Sequence, residues 1–228
     1  GIKCKSRRRQ PAVDPGVRPS ELAVRTYSLS GDDNGTYMWG SSTTLQHAAP
    51  DLKVCEACGT KLDAALVRPT YECGKCRLDA SSTYDNYLIV SAAFRDVVIG
   101  RDLTGARFTV LPAAPGFYVL DAPNIVAFDV ERRRTHFAKH CDTCNRYLEV
   151  AGATPAYLRE LPRADFSSTD ILFGSGNELQ PLKIISDRAR QALEAARLKG
   201  LLCQYRPNVR MQRSGCDKVP VEATAAGR

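Results

Sequence analysis

Three Cys-x-x-Cys pairs constrain this chain more than any other feature of its sequence. The pairs are Cys55/Cys58, Cys73/Cys76 and Cys141/Cys144. Two cysteines at this spacing can hold one metal ion from a single turn, so two such pairs complete a tetrahedral thiolate site for Zn²⁺. The sequence therefore predicts knuckles, which are tight turns carrying a Cys-x-x-Cys pair, and one or two bound zinc ions.

The spacing between the pairs favours a local partnership. Only 14 residues separate Cys58 from Cys73, which is close to the spacing of a zinc ribbon. Closing so short a loop costs little conformational entropy, so Cys55/Cys58 are expected to share a metal with Cys73/Cys76. The third pair would then bind a second Zn²⁺ with ligands drawn from His136, His140, Cys203 or Cys216.

Length and composition indicate a globular protein. The chain has 228 residues, of which 43% are hydrophobic, enough to build one large domain or two small ones. It has no apolar run of about 18 residues, so we expect no contact with a membrane. The opening residues lack the apolar region of a secretory signal. Nine cysteines in a chain this long do not resemble a secreted disulfide scaffold, so we expect a cytoplasmic protein.

The net charge of +7 comes from the two ends of the chain. Residues 1–19 carry six basic groups and one acidic group, and residues 206–228 carry five basic and two acidic groups. In contrast, residues 20–205 carry 21 basic and 22 acidic groups. We therefore predict a disordered basic segment at 1–21, a zinc-binding domain at 22–207 with a sub-boundary near 150, and a flexible tail at 208–228. Such tails bind nucleic acid weakly and without sequence preference at most.

Hydrophobic patterning predicts several strands. Residues 24–29 form one, followed by a hairpin that presents Tyr37, Met38 and Trp39. Tyr37 and Trp39 are candidate partner-binding anchors, although a single tryptophan is more often part of a core edge than an anchor. Residues 108–111 and 117–120 flank a Pro/Gly turn as a hairpin, and strands are expected at 124–130 and 147–150.

The helices are few and carry clear caps. Ser91 is expected to cap a helix over 92–99. Near the C-terminus, the strand 182–185, a helix from Ser186 or Asp187 to about Leu198, a terminal Gly200 and a strand over 201–205 form a β-α-β unit. The run 166–169 is assigned to a loop. The predicted fold class is α+β, with mixed or antiparallel sheets, few helices and zinc knuckles.

The motifs for catalysis are weak. His136 and His140 lack the glutamate of an HExxH motif, and the glycine-rich run 174–178 lacks the lysine of a phosphate-binding loop. A thioredoxin-type site would need Cys141 at the start of a helix after a strand, whereas extended structure is expected after Cys144. We therefore expect no enzymatic activity.

Three segments carry a resemblance to a known family. They are CEACG at 55–59, the preceding Trp39-Gly40 and the ending IISDRARQALEAARLKGLLCQYRP at 184–207. Together they resemble the bacterial, myxobacterial-type double-CXXCG motif immunity proteins over roughly residues 22–207. The family is one of cytosolic proteins that protect a cell against a toxin delivered by its kin. Only the first Cys-x-x-Cys pair here has the family's trailing glycine.

The resemblance implies a different pairing of cysteines. In the family the two pairs lie far apart in sequence and share one metal. Carried onto this chain, that arrangement places Cys55/Cys58 with Cys141/Cys144, against the local rule.

Three classes of function follow, in decreasing order of support. The first is a zinc-binding, non-catalytic immunity protein that neutralises a cognate toxin by covering it. The second is a zinc-ribbon protein that binds nucleic acid, supported by the basic tails and the knuckles. The third is a thiol or metal enzyme, for which a general base and an open metal position are missing.

Overall fold

The fold is known from a computed structural model, which describes residues 26–40, 52–73 and 77–206. Eleven strands occur in these residues: β1 (Thr26–Asp33), β2 (Ala80–Ser82), β3 (Leu88–Ser91), β4 (Arg107–Val110), β5 (Phe117–Asp121), β6 (Ile125–Val126), β7 (His136–Cys141), β8 (Arg146–Ala151), β9 (Phe166–Ser175), β10 (Gln180–Ser186) and β11 (Leu201–Arg206). The helices are α1 (Ala92–Gly100), α2 (Val130–Arg133) and α3 (Asp187–Ala195), with a 3-10 turn at Gly176–Glu178.

The strands form one mostly antiparallel sheet. Its order is β4-β5-β3-β2-β1-β10-β9-β8-β7, with β11 added beside β1 and β6 beside β9. Only the pairs β1/β2 and β6/β9 are parallel. The predicted α+β class, with a mixed sheet and few helices, is confirmed.

The C-terminal β-α-β unit is present in a split form. Both β10 and β11 run antiparallel to β1, which lies between them along residues Thr26–Leu29. Ser186 starts α3 as predicted, because its Oγ accepts a hydrogen bond from the amide of Ala189 at 3.1 Å. Ala189 and Leu193 are buried and fix the helix against the sheet.

Gly200 has a different role from the one predicted. The helix ends at Ala195, so Gly200 is not its cap. Its φ is +77°, and a Cβ at this position would lie 2.3 Å from the carbonyl oxygen of Ala80. A glycine is required here because the chain crosses close to β2 in a backbone conformation that other residues rarely adopt.

Helix α1 was also predicted correctly. Ser91 caps it by accepting from the amide of Phe94 at 3.2 Å, and Phe94 and Val98 are buried. Both helices α1 and α3 contribute to one hydrophobic core, termed here the helix-backed core. The predicted hairpin at 108–111 and 117–120 is confirmed as β4 and β5.

Strand β3 is buried on both faces, which explains its unbroken apolar run. Leu88 and Val90 pack into the helix-backed core, whereas Ile89 packs on the opposite face. That opposite face is covered by Met38, Trp39 and other residues of the irregular segments that precede β2. The sheet therefore has helices on one side and irregular chain, including the first knuckle, on the other.

A third core holds the β7–β8 hairpin to the rest of the sheet. It contains Val126, Phe128, Val150, Leu158 and Phe173. The expected strand at 124–130 is shorter than predicted, because only Ile125–Val126 pairs with β9 and Val130 already begins α2. The alternation of apolar residues nevertheless predicted buried positions correctly, since Val126 and Phe128 are each 2% exposed.

Two further sequence predictions are wrong. The run 166–169 is not a loop but the buried start of β9. A run of hydroxyl residues is typical of a loop, but these hydroxyls form hydrogen bonds inside the sheet. Ser168 accepts a hydrogen bond from the ammonium of Lys183, and Thr169 donates one to the carbonyl of Ile171. The hairpin expected after β1 is also missing, since residues 34–40 form turns and bends without a second strand.

The domain limits stay predictions. Residues 1–21 and 208–228 lie outside the described residues, and position 150 falls within β8. Among the described residues, no helix has the length and apolar character needed to cross a bilayer.

Candidate metal centre

The first knuckle is a tight loop closed by its own backbone. Val54 and Lys61 form an antiparallel bridge at its base. Inside it, the amide of Cys55 donates to the carbonyl of Thr60 at 2.9 Å, and the amide of Gly59 donates to the carbonyl of Cys55 at 2.7 Å. Gly59 has a φ of +70°, a left-handed conformation that glycine adopts more readily than other residues, so the glycine fits this tight turn.

The second knuckle is the tip of the β7–β8 hairpin. Cys141 is the last residue of β7 and pairs with Arg146, the first residue of β8. The turn between them carries Cys144 and is completed by Asn145 at a φ of +53°. Asparagine tolerates this left-handed conformation better than most residues, so the local sequence fits the turn.

The two knuckles bring four sulfur atoms together. Cys55 Sγ lies 3.9 Å from Cys141 Sγ, and Cys58 Sγ lies 3.8 Å from Cys144 Sγ. All four sulfur atoms lie within 4.8 Å of one another. Zinc–thiolate bonds of about 2.3 Å in a tetrahedron place neighbouring sulfurs about 3.8 Å apart, so the four cysteines fit a Zn²⁺ ion.

The pairing is the long-range one. Cys55/Cys58 meet Cys141/Cys144, whereas the local spacing predicts Cys73/Cys76 as their partners. Cys73 is engaged in a disulfide, which removes its thiolate as a ligand. The other described cysteines are free, and Cys76 lies outside the described residues. The pairing implied by the family resemblance is therefore the one that the structure shows.

Arg146 joins the knuckles without using sulfur. Its guanidinium donates to the carbonyl of Lys61 at 3.0 Å and to the carbonyl of Leu62 at 2.7 Å. The amide of Lys61 donates in turn to Asn177 Oδ1 at 2.9 Å, beside the 3-10 turn that follows β9. These bonds align the two knuckles, so part of the geometry of the site is set by groups other than the metal ligands.

The thiols influence each other's protonation. Burial raises the pKa of Cys58, but hydrogen bonds between its sulfur and the hydroxyl and amide of Thr60, together with those to Cys55 and Cys141, outweigh burial and bring the pKa to about 6. Burial and the neighbouring sulfurs raise the pKa of Cys144 to about 12. Once one thiolate forms, the next is opposed by like charge, and a divalent cation removes that opposition.

Burial divides the site into an inner and an outer half. Cys55 and Cys141 are 4% and 8% exposed, whereas Cys58 and Cys144 are half-buried. The outer half gives an ion access from solvent. Four thiolates fill the coordination shell of zinc, which is typical of a structural site and leaves no position for a substrate or an activated water.

The histidines lie outside this cluster. His136 and His140 are exposed on β7 and not on a helix. His140 Nδ1 lies 2.9 Å from Asp142 Oδ1, and its Nε2 lies 3.1 Å from Asn145 Oδ1. Within the described ranges only the tetracysteine group is arranged for a metal. Of the other proposed ligands, Cys203 is a free thiol on β11, and Cys216 lies outside the described residues.

The predicted partner-binding anchors differ in exposure. Trp39 is 3% exposed, so it is a core residue and not a surface anchor. Its amide donates to Asp85 Oδ2 at 2.9 Å, and its indole Nε1 donates to the carbonyl of Leu66 at 2.8 Å. Tyr37 is 37% exposed, and its ring centroid lies 5.0 Å from that of Tyr84.

Sequence reasoning missed a buried lysine beside the first knuckle. Lys61 is 2% exposed, its Nζ lies 4.3 Å from the centre of the Tyr87 ring, and it donates to the Tyr87 hydroxyl at 3.2 Å. Burial lowers the pKa of Lys61 to about 8, against the opposing charges of Asp85 and Asp63. Lysine is rarely buried, so no local signal could have indicated this position.

Comparison with known proteins adds no family assignment. No family model matches the chain, and no curated protein matches it significantly. The likeness to double-CXXCG immunity proteins therefore stays a prediction from the motifs.

Proposed function

We propose that this chain is a zinc-stabilised, non-catalytic binding protein that protects a bacterial cell by binding a cognate toxin. The tetracysteine cluster carries the proposal. It links two hairpin tips that are 86 residues apart in sequence, so a metal ion there would fasten the irregular chain on one sheet face to the β7–β8 hairpin. Such a site stabilises a surface and performs no chemistry of its own.

The cysteine pairing supports the immunity role. The local spacing rule predicted one partnership, and the family resemblance implied another. The observed cluster has the partnership implied by the resemblance. The resemblance was based on short sequence motifs, whereas the pairing of the cysteines depends on the tertiary fold. The agreement is therefore a separate line of support.

The proposed mechanism is occlusion. The bound protein covers the functional surface of the toxin, and affinity comes from a few desolvated side chains. We place the interaction in the cytoplasm, where thiols stay reduced. Among the described residues, the disulfide at Cys73 is the feature that does not fit a reducing compartment.

Co-expression tests the proposal. The chain should rescue a host from a toxin encoded beside its gene and not from unrelated toxins, and the purified protein should contain about one equivalent of zinc per tetracysteine site. Cys141→Ser should abolish both rescue and zinc content, whereas Cys203→Ser, which changes a free thiol outside the cluster, should abolish neither. A metal-free folded protein, or a hydrolytic or redox activity lost in Cys141→Ser without unfolding, would refute it.

A further inference from the structure

A two-stranded ribbon beside β6 and α2 has an outer face that carries both apolar and cationic side chains. Its strands pair by an antiparallel bridge between Phe128 and Leu158. Around that bridge, the amide of Asp129 donates to the carbonyl of Tyr157 at 2.8 Å, and the amide of Arg159 donates to the carbonyl of Ala127 at 2.9 Å. Because side chains of extended chain alternate, one set faces the core and the other faces outward.

The inward-facing side chains of the ribbon are buried, so the side chains that alternate with them face outward. Phe128 and Leu158 belong to the core under the β7–β8 hairpin. The outward positions include Ile125, which is 61% exposed, and Leu161, which is 39% exposed. Arg159 is also exposed. Apolar and cationic side chains are therefore interleaved on a rigid backbone that the core holds in place.

The ribbon and the adjoining α2 carry arginines without acidic partners. Across the described residues, five arginines of this region form no ion pair: Arg132, Arg133, Arg134, Arg159 and Arg163. Elsewhere in the described residues, arginines of both kinds occur: Arg95, Arg107, Arg188 and Arg190 are paired with carboxylates, whereas Arg68, Arg77, Arg101, Arg146 and Arg197 form no ion pair. What distinguishes this region is that its five unpaired arginines lie close together in two short segments, 132–134 and 159–163.

Four carboxylates lie among the five arginines: Asp129, Glu131, Glu160 and Asp170, whose Oδ1 accepts a hydrogen bond from the amide of Phe128 at 2.8 Å. Asp129 is occupied as the helix cap, since its Oδ1 accepts from the amide of Arg132 at 3.0 Å. The surface therefore keeps an excess of positive charge, although residues 20–205 as a whole are close to neutral.

Two of these arginines are held in place. The guanidinium carbon of Arg132 lies 4.2 Å from the centre of the Tyr157 ring. Arg133 donates to the carbonyl of Thr154 at 2.5 Å. Stacking and hydrogen bonding lower the entropy that these side chains lose on binding, so they suit an interface better than free lysines would.

A groove of about 280 Å³ lies at one end of the surface. Ile125, Leu161, Pro162 and Arg163 line it together with Asn124 and Glu160. It is large enough to receive an apolar side chain, with a guanidinium at its edge to pair with a carboxylate.

We propose that this arginine ribbon, defined by Ile125, Arg132, Tyr157, Arg159, Leu161 and Arg163, is the docking surface for an acidic protein segment whose carboxylates flank an apolar side chain. It deepens the proposed function and rests on it, because it names the chemistry of the partner. Charge complementarity selects the acidic partner, and the exposed Ile125 and Leu161 supply the apolar centre that protein interfaces favour. A nucleic acid fits less well, because the one aromatic ring among these residues is already covered by Arg132.

Two charge-reversal variants with the same net charge as each other test the surface. The variant Arg132→Glu/Arg159→Glu/Arg163→Glu is compared with Arg77→Glu/Arg101→Glu/Arg197→Glu, three exposed arginines outside the ribbon. Both variants should keep the native circular dichroism and zinc content. The probes are a labelled peptide with glutamates alternating with leucine and phenylalanine, its glutamine counterpart and a single-stranded oligonucleotide of similar length.

The acidic peptide should bind the unmodified protein, and the ribbon variant should weaken that binding about tenfold or more, against less than about threefold for the control variant. The glutamine peptide should bind weakly to all three proteins. Equal effects of the two variants, no binding of the acidic peptide, or tighter binding of the oligonucleotide that the ribbon variant abolishes would each overturn the proposal.

The toxin, once found by co-expression, separates the two proposals. If it binds and the ribbon variant binds it equally well, the docking surface is wrong and the proposed function stands. If no toxin binds the unmodified protein, the proposed function is wrong, whereas the peptide measurements still decide the ribbon.

Discussion

The helix-backed core and the knuckle region are stabilised in different ways within one sheet. In the helix-backed core, α1 and α3 bury Phe94, Val98 and Leu193 against strands with regular registers. In contrast, residues 52–73 on the other face of the sheet contain no named helix or strand. Their position depends on the four cysteines, on Arg146 and on a few buried side chains.

The difference shows what the cysteines contribute. Regular elements satisfy their own backbone groups and need only an apolar face to pack. An irregular segment lacks both the regular backbone hydrogen bonds and the continuous apolar face. Its position therefore depends on cross-links to other parts of the chain. A metal ion in the tetracysteine cluster would provide such a link, because the cluster joins the first knuckle to the tip of the β7–β8 hairpin.

The largest effect should come from removing the metal. Structural zinc in small peptides contributes about 10 kcal/mol or more to folding, and here that free energy should act mainly on the knuckles. After chelation, amide exchange should rise at residues 52–61 and 141–146, whereas β10 and α3 should stay protected. Cys203→Ser, treated in the same way, provides the control. Uniform loss of protection across the sheet would show that the two regions form one cooperative unit.

A core substitution should produce the opposite pattern. Phe94 is fully buried, so Phe94→Ala should lower the free energy of unfolding by about 3–5 kcal/mol. Zinc stoichiometry should not change, because Phe94 does not belong to the core beneath the knuckles. Ile99→Ala on the same helix is the matched control: Ile99 is 61% exposed, and the cost should stay within about 0.5 kcal/mol. Loss of zinc in Phe94→Ala would contradict the separation of the two regions.

A smaller effect is expected at Lys61, where the two regions meet. Its pKa is about 8 in the folded protein and 10.5 in the reference state. Folding therefore disfavours the charged form of Lys61. The cost to the free energy of folding is about 3 kcal/mol, is fully present below pH 8 and disappears as the pH rises toward 10.5. The melting temperature of Lys61→Met relative to the unmodified protein should thus be highest near pH 7 and fall toward pH 10.

The comparison with Lys61→Met cancels the titration of the thiols, which both proteins share. If the difference in melting temperature stays constant from pH 7 to pH 10, the pKa of Lys61 is not lowered by burial and the prediction is wrong. A difference that grows with pH would show that folding favours the charged form of Lys61.

Local signals in the sequence were sufficient for the elements that local rules govern. Ser91 and Ser186 were identified as caps because a hydroxyl before an apolar repeat offers an acceptor to the first turn. The hairpin of β4 and β5 followed from its Pro/Gly turn. The signals failed where polar residues are buried, as at Ser168 and Thr169 in β9. For Trp39 they left two interpretations open, and its burial agrees with the core interpretation and not with the partner-binding one.

The cysteine pairing shows the limit of the loop-closure rule. Cys58 and Cys141 are separated by 82 residues, against 14 for Cys58 and Cys73. Because closure entropy grows only logarithmically with length, the local pairing is favoured by about 1.5 kcal/mol. Two hydrogen bonds from Arg146 to the first knuckle and the packing of the β7–β8 hairpin can offset so small a preference.

The sequence by itself determined the α+β class, the capped helices α1 and α3, the C-terminal strand-helix-strand order and the expectation of a thiolate metal site, because each depends on residues close together in the chain. The tertiary structure decided which cysteines meet, the burial of Trp39 and Lys61, the insertion of β1 between β10 and β11, and the alignment of unpaired arginines on one ribbon. These features depend on contacts between distant segments, whose free energies are set by the whole fold and leave no local pattern.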